Sequence, residues 1–189
     1  MTTLGWSALI VASLLTLCPP PVRGRMHEVP EYHVKAAFLY NFCKFIEWPE
    51  ERFANPTSPI VLGVTDAGPF GAALAALDGR RVGRRHLRVR EVGAPASAAT
   101  CHMLFVNGDA THAKSYVVAT AGRAVVTVGE DPAFLEDGGM IQFVRKQAKV
   151  RFQIDHERLK RAGLTVSSHL LKLADDRSER NEVKEKDNE

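Results

Sequence analysis

Of three cysteines, Cys18 lies in the N-terminal apolar run; the other two carry intrinsic nucleophilic and redox chemistry into the rest of the chain: Cys43, inside "YHVKAAFLYNFCKFIEWP" (residues 32–49), and Cys101, which opens "CHMLFV". A catalytic thiol needs a depressed pKa, supplied by a neighbouring base, a cation or a helix terminus. Cys43 falls in the middle of a helical pattern beside Phe42 and Phe45, surroundings that raise it. Cys101 precedes His102, but consecutive residues of a strand face opposite ways, so their adjacency does not make a catalytic pair. In an oxidising compartment Cys43 and Cys101 become disulfide candidates instead. Their separation of 58 positions would make a bridge worth roughly 4 kcal/mol by the chain-entropy model. The alternative is two separate buried thiols that pack as small hydrophobes.

Other combinations capable of chemistry are incomplete. The chain has no G-x-S-x-G elbow, no H-E-x-x-H pair, no G-x-G-x-x-G and no Walker pattern. Ser167, Ser168 and His169 are adjacent, so on a helix they point apart rather than converge. "HEVPEYH" (27–33) holds two His and two Glu, but Pro30 breaks any shared helical face, and His102 and His112 stand alone, so neither a metal nor another cofactor is expected. Arg80, Arg81, Arg84, Arg85, Arg88 and Arg90 put six guanidinium groups in eleven residues. Such a run attracts an acidic protein or lipid headgroups when it is more than a solvated strand face. It has no interleaved aromatics for stacking bases, which speaks against nucleic acid.

The compartment follows from the leader. "LGWSALIVASLLTLC" (4–18) is apolar but short for a membrane span, and "PPPVRG" follows with small residues suited to cleavage after Gly24. Residues 1–24 read as a signal peptide, with an uncleaved anchor as the alternative. The remaining 25–174 are long enough for one core-bearing domain. The last segment, 175–189, carries seven acidic and four basic residues without hydrophobic periodicity, so it cannot offset the entropy of ordering it and reads as a solvated tail.

Those residues need a scaffold. Apolar positions 34, 37, 38, 42, 45 and 46, with Asn41, mark a helical face that Pro49 terminates. "PIVLGVTD", "RRHLRVREV", "CHMLFVN" and "RAVVTVGE" read as strands. Between them lie helices beginning near Pro69 and after Asp109, and "DPAFLED" reads as a short Asp-capped helix. "MIQFVRKQAKVRFQID" reads as a hairpin turning at Lys146 to Ala148. Asp155 caps "HERLKRA", and Ser167 or Ser168 caps a last helix in "LTVSSHLLKLA". Strand-helix alternation with short connections implies parallel pairing. The expected fold is an α/β three-layer sandwich: a mostly parallel sheet of about six strands ending in an antiparallel hairpin, helices on both faces. Ligands of such sheets bind beyond the carboxyl ends of the strands, which points to "TDAGPFG", "NGDATH" and "VGEDPAF".

The ordered string "VKAAFLYNFCKFIEWP", "GPFGAALAALDGRRVGRRHLRV", "CHMLFV", "VVTVGED", "GGMIQFV", "VRFQID" and "AGLTVSSHLLKLA" resembles the YfiR family of exported bacterial proteins. The resemblance runs from about Tyr32 to Ala174. It implies a periplasmic protein, often a homodimer, that binds the periplasmic portion of an inner-membrane diguanylate cyclase and represses it. Cyclic di-GMP and biofilm formation would then fall, and contact with the membrane would come only through that partner. The family is also associated with redox responses through disulfides. Cys101 matches the family's cysteine before the His; Cys43 has no counterpart in that pattern, and 145–152 reads "RKQAKVRF" without a cysteine. No enzyme activity is expected. The alternative from the residues alone is a periplasmic small-molecule sensor reporting to an envelope kinase.

Overall fold

Strong β-formers at residues 60–64, 85–91, 103–106 and 126–129, each followed by turn residues, lay down the parallel strands on which everything else packs. The structure, a computed structural model, describes residues 31–175. The leader expected over 1–24 and the tail expected over 175–189, apart from Asp175, lie outside the described residues. In chain order the elements are α1 (Glu31–Phe45), β1 (Ile46–Glu47), β2 (Ile60–Val64), α2 (Gly71–Ala75), β3 (Arg81–Val82), β4 (Arg85–Glu91), α3 (Pro95–Ala98) and β5 (Met103–Val106). They continue with α4 (Ala110–Thr120), β6 (Val126–Gly129), β7 (Ile141–Lys146), β8 (Lys149–Ile154), α5 (His156–Arg161), β9 (Thr165–Val166) and α6 (Ser168–Leu173).

Seven strands form one sheet in the order β3-β4-β2-β5-β6-β7-β8. β4, β2, β5, β6 and β7 run parallel, and β8 returns antiparallel on β7. The expected parallel sheet with its terminal hairpin is therefore present. The hairpin turns through Gln147 and Ala148, both at positive φ, the geometry of a tight two-residue turn whose twist matches the strands. The seventh strand, β3, has only two residues and folds back on β4 through Gly83 at φ 57. It is too short to leave a periodicity in the sequence.

Alternation along the strands divides the core into two layers. Leu62, Val64, Met103, Phe105, Val126 and Val128 face α1, α2 and α6; Leu104, Val106 and Val125 face α3 and α4. The helix starts are capped as their side chains dictate: Asp109 accepts from His112 N, Asp155 from Arg158 N and Ser167 from Leu170 N. The short β1 and β9 pair antiparallel and join the end of α1 to the last helix.

Two local readings need correction. The buried face of α1 is Lys35, Ala36, Leu39, Phe42 and Cys43, continued by Ile46, a stripe turned from the one expected. Ala37 points outward, while Phe38 and Phe45 are half-buried on the flanks, where they reach Phe152 and His169. "DPAFLED" is a series of turns, not a helix. Phe134 is driven into the core against the bare backbones of Gly129 and Gly139, and a helix would carry its ring elsewhere.

The close approach at Gly63 on β2 has the same origin. A Cβ there would lie 2.5 Å from Cys101 Sγ and 2.8 Å from Val92 Cγ2. Gly63→Ala should therefore destabilise the protein by about 1–3 kcal/mol through overpacking. Cys101→Ala should relieve part of that cost, giving a coupling of at least about 0.5 kcal/mol in a double-mutant cycle read by urea unfolding. An unchanged midpoint for Gly63→Ala would refute the tight packing.

Candidate functional site

The topology makes one crevice that an α/β sheet would ordinarily use. β2 and β5 are neighbours, yet α2 after β2 packs on one face and α4 after β5 on the other. Between their carboxyl ends lies a switch point, where such sheets bind ligands. A cleft of about 240 Å³ opens there, lined by Glu31, Tyr32, Lys35, Phe70, Phe105, Asn107 and Glu130. Thr65 and Asn107 stitch the two strand ends together: Thr65 Oγ1 donates to Asn107 O, and Asn107 N donates to Thr65 Oγ1, each at 3.1 Å.

Lys35 is the buried charged group of this cleft, only 4% exposed. Its ammonium donates to Glu130 Oε2 at 2.7 Å and meets Glu31 Oε1 at 2.6 Å. Burial alone would lower its pKa, but the hydrogen bonds and charges of Glu130 and Glu31 outweigh that and hold it above the ordinary value. The same hydrogen bond from Lys35 keeps the Glu31 carboxyl below its usual range. A buried ammonium saturated by two carboxylates is an anchor for α1 rather than a base.

At the opposite ends of the same strands a second polar group forms around His102. Val61 N donates to Nδ1 at 3.0 Å, so the ring proton sits on Nε2, which lies 3.3 Å from Arg52 O. Trp48 Nε1 donates to His102 O, and Arg52 donates to Cys101 O at 2.6 Å. Phe53 stacks on the imidazole with ring centres 4.5 Å apart and planes at 10°, and the Arg85 guanidinium caps the other face of Phe53 at 3.4 Å. Burial pushes the His102 pKa down to about 4. With both nitrogens committed to backbone, this histidine fastens the segment after α1 to the sheet and is not available as a general base.

The candidate cysteines are kept apart. Cys43 lies in the core layer beneath α1 and Cys101 in the layer on the other side of the sheet, and both are free thiols, so the Cys43–Cys101 bridge is not made here. Burial pushes the Cys43 thiol up to about 12, the opposite of what a nucleophile requires. Ser167 is spent as a helix cap while Ser168 and His169 are exposed. Among the described residues no three His, Cys, Asp or Glu side chains converge as a metal would need.

The sequence patterns that flagged Cys43 and Cys101 thus missed the residues that the fold brings together. Lys35 was legible only as a polar helix residue. Its one signal was its place four residues before Leu39 and seven before Phe42, on the inner stripe.

A family model described as YfiR/HmsC-like matches residues 32–175, nearly the whole described chain, and the chain belongs to that family. No curated protein matches it.

The neutral His102 makes stability depend on pH. Its folded pKa of about 4 lies below the ordinary 6.5, so the unfolded chain takes up the proton first as pH falls. The stabilisation is complete above about pH 6.5 and is lost as pH falls toward about 4, amounting to about 3 kcal/mol. In His102→Asn, whose side-chain oxygen can still accept from Val61 N, that slope should flatten. Parallel wild-type and variant profiles in unfolding titrations between those pH values would exclude this role.

Proposed function

We propose that this member of the YfiR/HmsC-like family is a periplasmic regulatory binding protein that holds a membrane-bound diguanylate cyclase inactive. Residues 1–24 act as its cleaved signal peptide, 25–174 as its single domain and 175–189 as a charged tail, and the exported chain works as a homodimer. The observation that carries this reading is the family match over 32–175. The site geometry agrees with it. His102 and Cys43, two side chains with chemistry for turnover, are committed to packing, and an inhibitor needs only a surface with different affinity for two states of its target.

Deleting the gene should raise cellular cyclic di-GMP and biofilm formation in a strain that retains the cognate cyclase, and leave both unchanged in a strain without it. Equal levels in all four strains would remove the repressor role.

The switch-point cleft favours one second reading, a periplasmic sensor that binds a small molecule there. A ligand that binds the folded state raises the melting temperature with no partner present. A thermal-shift screen of the isolated chain should then yield a compound whose effect disappears in Asn107→Leu; a compound acting equally on both proteins binds elsewhere.

A further inference from the structure

The six arginines do not share one role. Arg85 is built into the fold: it caps Phe53, donates to Asn55 O and Ser58 O, and pairs with Glu50. Arg90 bends back over α3, where it meets Ser97 O, Thr100 Oγ1 and Cys101 Sγ. Arg80, Arg81, Arg84 and Arg88 remain exposed along the β3–β4 edge, with His86 beside them. Three of the four have weak partners: Arg88 reaches Asp78 only at 3.9 Å across water-exposed groups, Arg81 bonds Gly83 O, and Arg80 rests on the Tyr40 ring.

Charges on an edge strand often serve only to block pairing with another chain. Here the backbone of β4 is already engaged along most of its open side. Gly79 N donates to Leu87 O, Leu87 N donates to Arg80 O, and Asp78 Oδ1 accepts from Val89 N. Four exposed, at most weakly engaged guanidinium groups exceed what that protection needs.

The partner follows from what the edge lacks. Specific protein interfaces are anchored by buried aromatic or aliphatic side chains. The exposed large hydrophobics of the described chain are Tyr32, Val118 and Leu173, and none lies on this edge. A cationic stripe without an anchor fits diffuse negative charge rather than a shaped protein patch. We propose that the β3–β4 edge, through Arg80, Arg81, Arg84 and Arg88, docks directly on the anionic phospholipid headgroups of a bilayer, so that the chain meets the membrane itself and not only through a partner. This goes beyond the repressor reading, and a chain that binds vesicles while leaving cyclic di-GMP unchanged would lose only the latter.

The test is co-sedimentation of the chain from residue 25 onward with phosphatidylcholine vesicles made with and without phosphatidylglycerol. Binding is expected only with phosphatidylglycerol, and added salt should abolish it. Arg81→Gln/Arg84→Gln/Arg88→Gln should weaken it on the order of a hundredfold, since each basic residue near an anionic surface contributes a factor of about five. Lys149→Gln/Arg151→Gln/Lys172→Gln, which removes the same charge from exposed positions outside this edge, should retain it. Melting temperatures of both triple variants check that each is folded. Equal losses in the two variants, or retention on soluble polyglutamate but not on vesicles, would overturn the proposal, the second result pointing to an acidic protein instead.

Discussion

An ammonium ion buried under a helix must find counter-charges or the helix cannot lie there. Lys35 finds them on its own helix and on the loop after β6, so α1 can settle on the sheet only where Glu130 waits at the strand's carboxyl end. The far end of the segment is fixed by a neutral group instead: Trp48 donates to the carbonyl of His102, whose ring is in turn held by Val61 and stacked under Phe53. One contact is electrostatic and the other is dipolar and dispersive. Between them Phe42 meets Phe143 and Phe152 from β7 and β8, which gives α1 its apolar footing. The pairing of β1 with β9 then follows, because the chain leaves α1 beside the place where the last helix begins.

What the sequence disclosed was whatever depends on neighbours along the chain. Runs of β-branched residues, Asp and Ser at helix starts, and a tight hairpin turn are local choices, and apart from the Asp-capped helix expected in "DPAFLED" they appear in the fold where they were read. What it concealed depends on distant partners. Lys35 looks like a solvated residue until β6 brings Glu130 to it. Phe134 looks helical until Gly129 and Gly139 offer it bare backbone, and the two cysteines look like a pair until a sheet stands between them. The cleft was legible only by rule: the loops after β2, β5 and β6, where such sheets bind ligands, do surround it, but the charges that fill it come largely from α1.

The placement of charge also separates two kinds of work. Lys35 and Arg85 are turned inward, with carboxylates or carbonyls to satisfy them, and both hold elements in position. Lys35 buried and Arg85 half-buried, they contribute specificity of arrangement more than stability, since removing ions from water cancels much of their attraction. The exposed arginines of the β3–β4 edge cost no such desolvation and remain free to act at a distance.

Helix α1 touches both of these regions. Near its start Glu31, Tyr32 and Lys35 form one wall of the switch-point cleft, and further along Tyr40 supports the arginine hairpin, its hydroxyl donating to Arg81 O at 2.7 Å and its ring lying under Arg80. A helix is stiff over this length, so it cannot tilt at one end while both contacts stay intact. Anything that enters the cleft and draws Lys35 from Glu130 must therefore either leave α1 in place or strain its seat on Tyr40. The cleft and the cationic edge, although they suit different chemistry, thus rest on one helix.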